Sequence, residues 1–449
     1  MARRHVFISA LASIGLFAAA CTAGGNNNSS PPPTINPSAS HAPVTLTLWS
    51  FFSNPELGEF NSAITAFQQK YPWITVKSVP SKTDTAVLQA INSGTAPDVA
   101  VEGIPDNSAK YCSTKAYLDL GPFIKQDNLN LASIVPPGAL AYTGYQGDQC
   151  MLPMLTDAYG LYYNTSLFQK AGITTPPQTY SELFADAKKL TQFNPDGSIK
   201  VAGFLPLQSG DYELANFENG IYSGAQWYDS SGKSTLASDP RFATMLQFVK
   251  QMTDWFGYDK LNRFFSGAGG ENAEFSPSNA FENGKLAMVV DGEWRVGFIK
   301  NDKSNVPYAT APFPVADDSP QLYGVGQIGG TTIGIPKDTA HPAEAWLLVK
   351  YLSLDAQAEQ GLAEQLHNVP TVFSALQDPA LTGDPHFATF LKIFANPNSR
   401  YKQISTLGLA DVTLFDAFAD KYVAGLVPNL QAGLQQLATQ IDQQLQLGQ

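Results

Sequence analysis

VTLTLWSFFSNPELGEFNSAITAFQQKYPWITVKSVPSKTDTAVLQAINSGTAPDVAV, residues 44–101, decides the fold class. Val44–Trp49 alternates apolar and polar residues, the period of a strand with one buried face. It runs into Ser50-Phe51-Phe52-Ser53-Asn54-Pro55, and Glu56 to Lys70 then carries Leu57, Phe60, Ile64 and Phe67 at helical spacing. Trp73–Val79 reads as a second strand, Thr85–Asn92 as a helix stopped at Gly94, and Val99–Val101 as a short buried strand. The β-α-β-α-β order predicts an α/β protein with a parallel or mixed sheet covered by helices.

The same grammar continues outward. Thr179 followed by Glu182 forms a capping box, Asp239-Pro240 supplies an N-cap with proline in the first turn, and Pro342 opens a helix over Ala343–Leu354. The chain has 449 residues, 44% hydrophobic and 15% charged, enough apolar material for two or three domains. A formal charge of −12 disfavours a nucleic-acid partner, which wants a basic face. The five histidines are scattered, with no pair at metal-ligand spacing, so neither a metal site nor a cofactor is expected.

At the amino terminus, Arg3 and Arg4 precede an apolar run from Val6 to Ala20 that is too short to cross a bilayer. Residues 1–20 therefore read as a signal peptide. Ala18-Ala19-Ala20-Cys21 resembles a bacterial lipobox, in which Cys21 is lipidated; a chance cysteine after an ordinary cleavage site is the alternative. Residues 21–43 are dominated by Gly, Asn, Ser, Pro, Thr and Ala and form a solvated tether. The expected location is extracytoplasmic, with the membrane engaged through the N-terminal lipid alone. Only Cys112 and Cys150 remain beyond the tether, and an oxidising compartment makes them a natural pair; two buried thiols are the alternative.

Catalytic motifs are missing. Gly324-Val-Gly326-Gln-Ile-Gly329 matches G-x-G-x-x-G, but extended chain closed by Pro336 follows where a dinucleotide site needs a helix. No G-x-S-x-G elbow, Walker A loop or H-E-x-x-H helix occurs. A glycosidase acid pair can lack any motif, so a glycoside-acting enzyme stays open at this point. Aromatic residues make up 11% of the chain. Sugar C–H faces pack on aromatic rings while hydroxyls seek polar groups. Trp73, Trp255 and Trp346 read as structural; Trp49, Trp227 and Trp294 stand at strand ends or turns, where core packing and ligand contact are both open. Only four arginines, 241, 263, 295 and 400, follow the signal segment, which favours a neutral polyol over an anion.

Five stretches carry a family resemblance: VTLTLWSFFSN at 44–54, FQQKYPWITVKSVP at 67–80, INSGTAPDVAVEG at 91–103, MLPMLTDAYGLYYNTSLFQKAGITTPPQTYSEL at 151–183 and FENGKLAMVVDGEWRVGFI at 281–299. The pair Gly329-Gly330 and HPAEAWLLVKYLS at 341–353 complete the order. The chain resembles the extracellular solute-binding proteins of carbohydrate ABC importers (family 1, the maltose-binding-protein class). The resemblance implies a two-lobed periplasmic-binding-protein fold of type II, with the ligand cleft between lobes joined by about three crossovers. One lobe is expected at 44–155 plus 312–365 and the other at 156–311 plus 366–449. It further implies a monomer that captures a sugar or oligosaccharide by lobe closure and delivers it to permease subunits, without catalysis. A non-sugar solute such as glycerol phosphate is the alternative within the class.

Carried over position by position, the resemblance implies a ligand site of Trp49, Ser50, Asn54, Glu102, Asp157, Trp294, Gly329 and Gly330. Tyr212, with Asp211, aligns only loosely, and Trp227 is added on its place before a turn. Asp98 is as suited to bracing its loop as to touching a sugar, Trp294 is the stacking platform, and the two glycines admit close approach of backbone amides to a hydroxyl.

Overall fold

The computed structural model describes residues 35–36, 39–54, 56–206, 220–268, 270–273 and 276–447. The signal segment, Cys21, Asp211 and Tyr212 lie outside the described residues, as does most of the tether. Strand β1 (Val44–Ser50) buries Leu46 and Leu48 under the helix Glu56–Lys70, whose Phe60, Ile64 and Phe67 form its inner stripe. Glu56 and Glu59 in the first turn and Lys70 in the last complement the helix dipole. β1 pairs in parallel with both β2 (Ile74–Val79) and β3 (Val99–Glu102). Between them the helix Asp84–Ser93 is capped by Thr83 and closed by Gly94 at φ 71°. β4 (Met151–Pro153) completes this sheet through a late strand, Thr332–Gly334, that is antiparallel to both β3 and β4.

A second sheet is built on β5 (Asp157–Asn164). β6 (Gln192–Phe193) and β7 (Ile199–Val201) form a separate hairpin. β8 (Met288–Gly292), β9 (Tyr308–Ala311) and β10 (Ile328–Gly329) all pair antiparallel to β5, and Thr332–Gly334 is β11. The chain passes between the sheets where β4 leads to β5 and where β10 leads to β11. A third passage follows the helix Ala356–Leu366, where Thr156 and Val369 bridge. The passages are laced together: Met154 N–H donates to Thr331 C=O (2.8 Å) and Thr156 N–H to Val369 C=O (2.8 Å). Glu359, fully buried, accepts Leu155 N–H (3.4 Å), Thr371 N–H (2.7 Å) and the Thr371 hydroxyl (2.9 Å).

Three expectations change. The segment 312–329, assigned from sequence to the first lobe, belongs with the second sheet. Val315 bridges Thr179, Ala316 N–H donates to Tyr222 C=O, Gln327 bridges Arg400, and β10 pairs β5; the passage falls at Gly330–Thr331. Trp255 is 40% exposed beside the equally exposed Phe193 rather than structural core. Gly330 (φ +120°) is demanded by the neighbouring passage, since a Cβ there would stand 2.7 Å from Thr156 Cα. Trp346 is buried and its indole N–H donates to Asp127 at 3.0 Å. Cys112 and Cys150 form a disulfide inside a small apolar cluster with Val87, Ile91, Ala100, Tyr111, Tyr117 and Met151, on the first-sheet side. The G-x-G-x-x-G stretch leads into β10 and β11, both extended chain. Among the described residues no helix is long and apolar enough to cross a membrane.

Candidate functional site

The cavity with the right furniture opens where the third passage meets the two sheets. Its volume is about 290 Å³, and its lining comes from three places. Glu56 and Glu59 stand on the first turn of the helix that follows β1. Trp294, Gly297, Phe298 and Asn301 come from the helix Trp294–Asn301, which β8 launches directly. Gln365, Leu366 and His367 end the helix Ala356–Leu366, His367 in the left-handed conformation that turns the chain. The Trp294 ring folds across Gly292, where any Cβ would lie 2.2 Å from it, and takes Tyr159 edge-on with centroids 5.4 Å apart. Gly297 does the same service for His367, whose Cγ would be 3.0 Å from a Cβ.

Carboxyls dominate the polar side. Asp157 opens β5 and Glu293 precedes Trp294; Asn368 bridges them, its Nδ2 donating to Asp157 Oδ1 (3.1 Å) and Glu293 Oε1 (3.0 Å). Glu293 is wholly buried and also accepts Ala158 N–H at 2.7 Å. Burial, then repulsion from Glu56, pushes Asp157 up to about 7 against the Asn368 hydrogen bond. Burial and Asp157 raise Glu293 well above the usual carboxylate range, and burial raises Glu56. Burial also lowers His367, so its ring is a neutral donor–acceptor. No lysine or arginine is among the lining residues, although Lys300 is near enough to add to the lowering of His367. The arrangement offers one aromatic face and carboxyl acceptors, with no cation in the wall itself.

Of the residues singled out from sequence, the fold brings Trp294 to the cavity wall and Asp157 beside Glu56. Asn54 is exposed at the end of the β1 loop. Trp49 is half-buried with Lys82 Nζ 4.6 Å over its ring, and Ser50 is fully buried. Glu102 does not face the cavity. It is fully buried, accepts the Tyr117 hydroxyl, and is pushed well up first by burial and then by Asp84. Trp227 is core: 1% exposed, against Phe415 (5.2 Å) and Phe242 (6.0 Å). Gly329 is buried with its carbonyl accepting the Tyr142 (2.9 Å) and Thr156 hydroxyls, so it serves the passage between sheets. Asp98 braces its loop, accepting Thr47 N–H (2.7 Å) and the Thr339 hydroxyl (2.7 Å). Arg295 is buried on Asp291 (2.6 Å). Glu56, Glu59, Asn301, His367 and Asn368 were missed; Glu56 alone carried a local signal, as the acid opening a helix after a loop already implicated.

Among the described residues no group of three or more His, Cys, Asp or Glu is placed to hold a metal ion. A sequence model for the family described as bacterial extracellular solute-binding protein matches residues 54–359. A probable ABC transporter-binding protein of Deinococcus radiodurans is 26% identical over 276 residues, 58% of this chain and 62% of its own length. The maltotriose-binding protein of Pyrococcus abyssi is 20% identical over 343 residues, 76% of this chain and 69% of its own. The chain spans about half to three-fifths of the first curated relatives it matches. Among solved structures, CpMnBP1 with mannotriose bound superposes with a TM-score of 0.77 at 23% identity, over 88% of this chain and 99% of that one. Its likeness gives the same two-lobed α/β fold.

Proposed function

We propose, from the premise that this chain belongs to the bacterial extracellular solute-binding proteins, that it captures a neutral sugar or oligosaccharide in the cavity beside Trp294 and hands it to an ABC permease. The observation that carries the choice of solute is the cavity lining itself. An aromatic face suits the C–H side of a pyranose, and Glu56 and Glu59 in the wall, with Asp157 near Glu56, suit hydroxyl donors, whose hydrogen bonds to a carboxylate are the stronger kind. A phosphate would meet the carboxyls of Glu56 and Glu59 with no cation in the cavity wall to offset them, which argues against glycerol phosphate. The solute leaves unaltered, since its role ends with closure of the lobes and release.

The moving parts follow the strand pairing. Of the described residues, those within 44–154 and 331–366 make one lobe and those within 156–330 and 369–447 the other, with the passages as hinge. The Cys112–Cys150 bridge lies within the first and leaves closure free. Cys21 carries the lipid, residues 22–43 act as leash, and the protein works as a monomer at the outer face of the membrane.

The test is a thermal-shift screen of the protein lacking residues 1–20 against glucose, maltose, maltotriose, mannobiose, glycerol and glycerol 3-phosphate. Ligand at 100 times its dissociation constant adds about 2.7 kcal/mol of stability. A shift with one or more sugars, recovered intact afterwards, is the expected result. A shift with glycerol 3-phosphate alone, or cleavage of the sugar, overturns this reading.

A further inference from the structure

Away from the cavity, a buried charge cluster joins the two sheets' halves. Asp106 follows β3 and leads into the helix Asn107–Ser113, which carries Cys112 and so belongs to the first lobe. Lys402 follows Arg400, which is bridged to Gln327 and hydrogen-bonded to β10, and so belongs to the second. Lys402 Nζ lies 2.6 Å from Asp106 Oδ1 and 3.1 Å from Asp411 Oδ1, with side-chain exposures of 1%, 3% and 0%. The Tyr401 hydroxyl donates to Asp106, while the Tyr228 hydroxyl and Ser405 (2.8 Å) donate to Asp411. Trp227, packed on Phe415 and Phe242, lies under the ammonium at 5.0 Å. Gly408 leaves room for Asn107, whose Oδ1 would be 2.5 Å from a Cβ there.

We infer that the Asp106–Lys402 ion pair, with Tyr401, is a latch across the lobes that holds the unliganded protein closed. It rests on reading the lobes as parts that swing, not on which solute enters. The two halves of the cluster differ in kind. Asp411 meets Lys402 from the same lobe, so that pair survives opening, whereas Asp106 meets it from the other lobe and cannot. A buried ammonium flanked by two carboxylates, with Asp416 near enough to feel all three charges, is sealed from water only while the lobes touch; opening rehydrates Asp106 and Lys402 together. Solute then binds a protein whose closed state is already populated, so less of its binding energy goes into moving lobes.

Small-angle scattering of the unliganded protein lacking residues 1–20 tests this. Wild type should show a radius of gyration near the value of about 22 Å for a compact chain of this size, and Asp106→Asn and Lys402→Met should each raise it by roughly 5%. Asp411→Asn loses a pair within one lobe and should lower the melting temperature while leaving the radius at the wild-type value. Asp106→Glu keeps the charge and should stay closed. An unchanged radius in Asp106→Asn and Lys402→Met, or an equal rise in all three charge-removing variants, overturns the latch. Because no solute is added, this failure is distinct from failure of the sugar screen.

Discussion

Glu359 and Asp157 sit on either side of the same passage between the sheets, and they are satisfied very differently. Glu359 accepts three donors, from the passage residue Leu155 and from Thr371 beyond the third passage. Asp157, two residues after Leu155, has one side-chain donor, Asn368, which it shares with Glu293. Both are raised by burial, Glu359 to about 8 and Asp157 to about 7. The first is a carboxyl whose lone pairs are spoken for by the chain that surrounds it. The second keeps acceptor capacity and feels the charge of Glu56, which lines the cavity. Burial alone therefore does not separate the two acids; spare acceptor capacity does, and the proposed solute contact of Asp157 rests on it.

The largest way to break the comparison is Glu359→Ala. It leaves Leu155 N–H, Thr371 N–H and the Thr371 hydroxyl without acceptors at a buried crossing, for a loss of about 3 kcal/mol. Urea or thermal unfolding would measure it. An equal loss from Asp157→Ala would erase the distinction drawn between the two acids. Next in size is Trp294→Ala, expected to weaken sugar binding by about 1–3 kcal/mol, read by calorimetry with whichever sugar shifts the melting curve. The ring also covers Gly292 and meets Tyr159, so a modest fall in stability accompanies it. A large fall in stability with unchanged affinity would place Trp294 with the structural residues, beside Trp227.

How far the sequence reached can be stated residue by residue. The strand and helix alternation of 44–101 was legible because each element has a clean period and a clear stop, such as Gly94. Trp294 was legible because G-x-W after a buried strand is a recognisable local pattern. Trp227 and Glu102 are buried away from the cavity, and nothing local in the sequence separates a residue at a turn or strand end that faces solvent from one that a remote segment covers. Trp227 is covered by Lys402 and Phe415, about 180 residues away. Asn368 and His367 were invisible for the same reason: their place at the cavity depends on a third passage whose register is set by Thr156 and Val369. The boundary at 312 was not legible further along because β10 returns to β5 after it, a pairing set by residues about 170 positions apart.

The smallest effect is also the sharpest, a pH dependence that separates the two acids. A carboxyl raised in the fold holds a proton that the unfolded chain has released, so its stabilisation is present below the unfolded value of about 4 and is lost as pH rises through the folded one. For Asp157 that window runs from about 4 to about 7, and for Glu359 it reaches about 8. Wild-type melting temperature should therefore fall steadily from pH 5 to about pH 8. Asp157→Asn should make the slope shallower below pH 7 and leave it unchanged from there to pH 8; Glu359, raised to about 8, and Asp416, raised to about 7, keep a slope below pH 7 in both proteins. Sugar hydroxyls donating to Asp157 favour its ionised form, so solute affinity should rise from pH 6 to pH 8 in wild type and stay level in Asp157→Asn. A flat affinity profile in wild type would mean that Asp157 accepts nothing from the solute, and that its difference from Glu359 is one of packing alone.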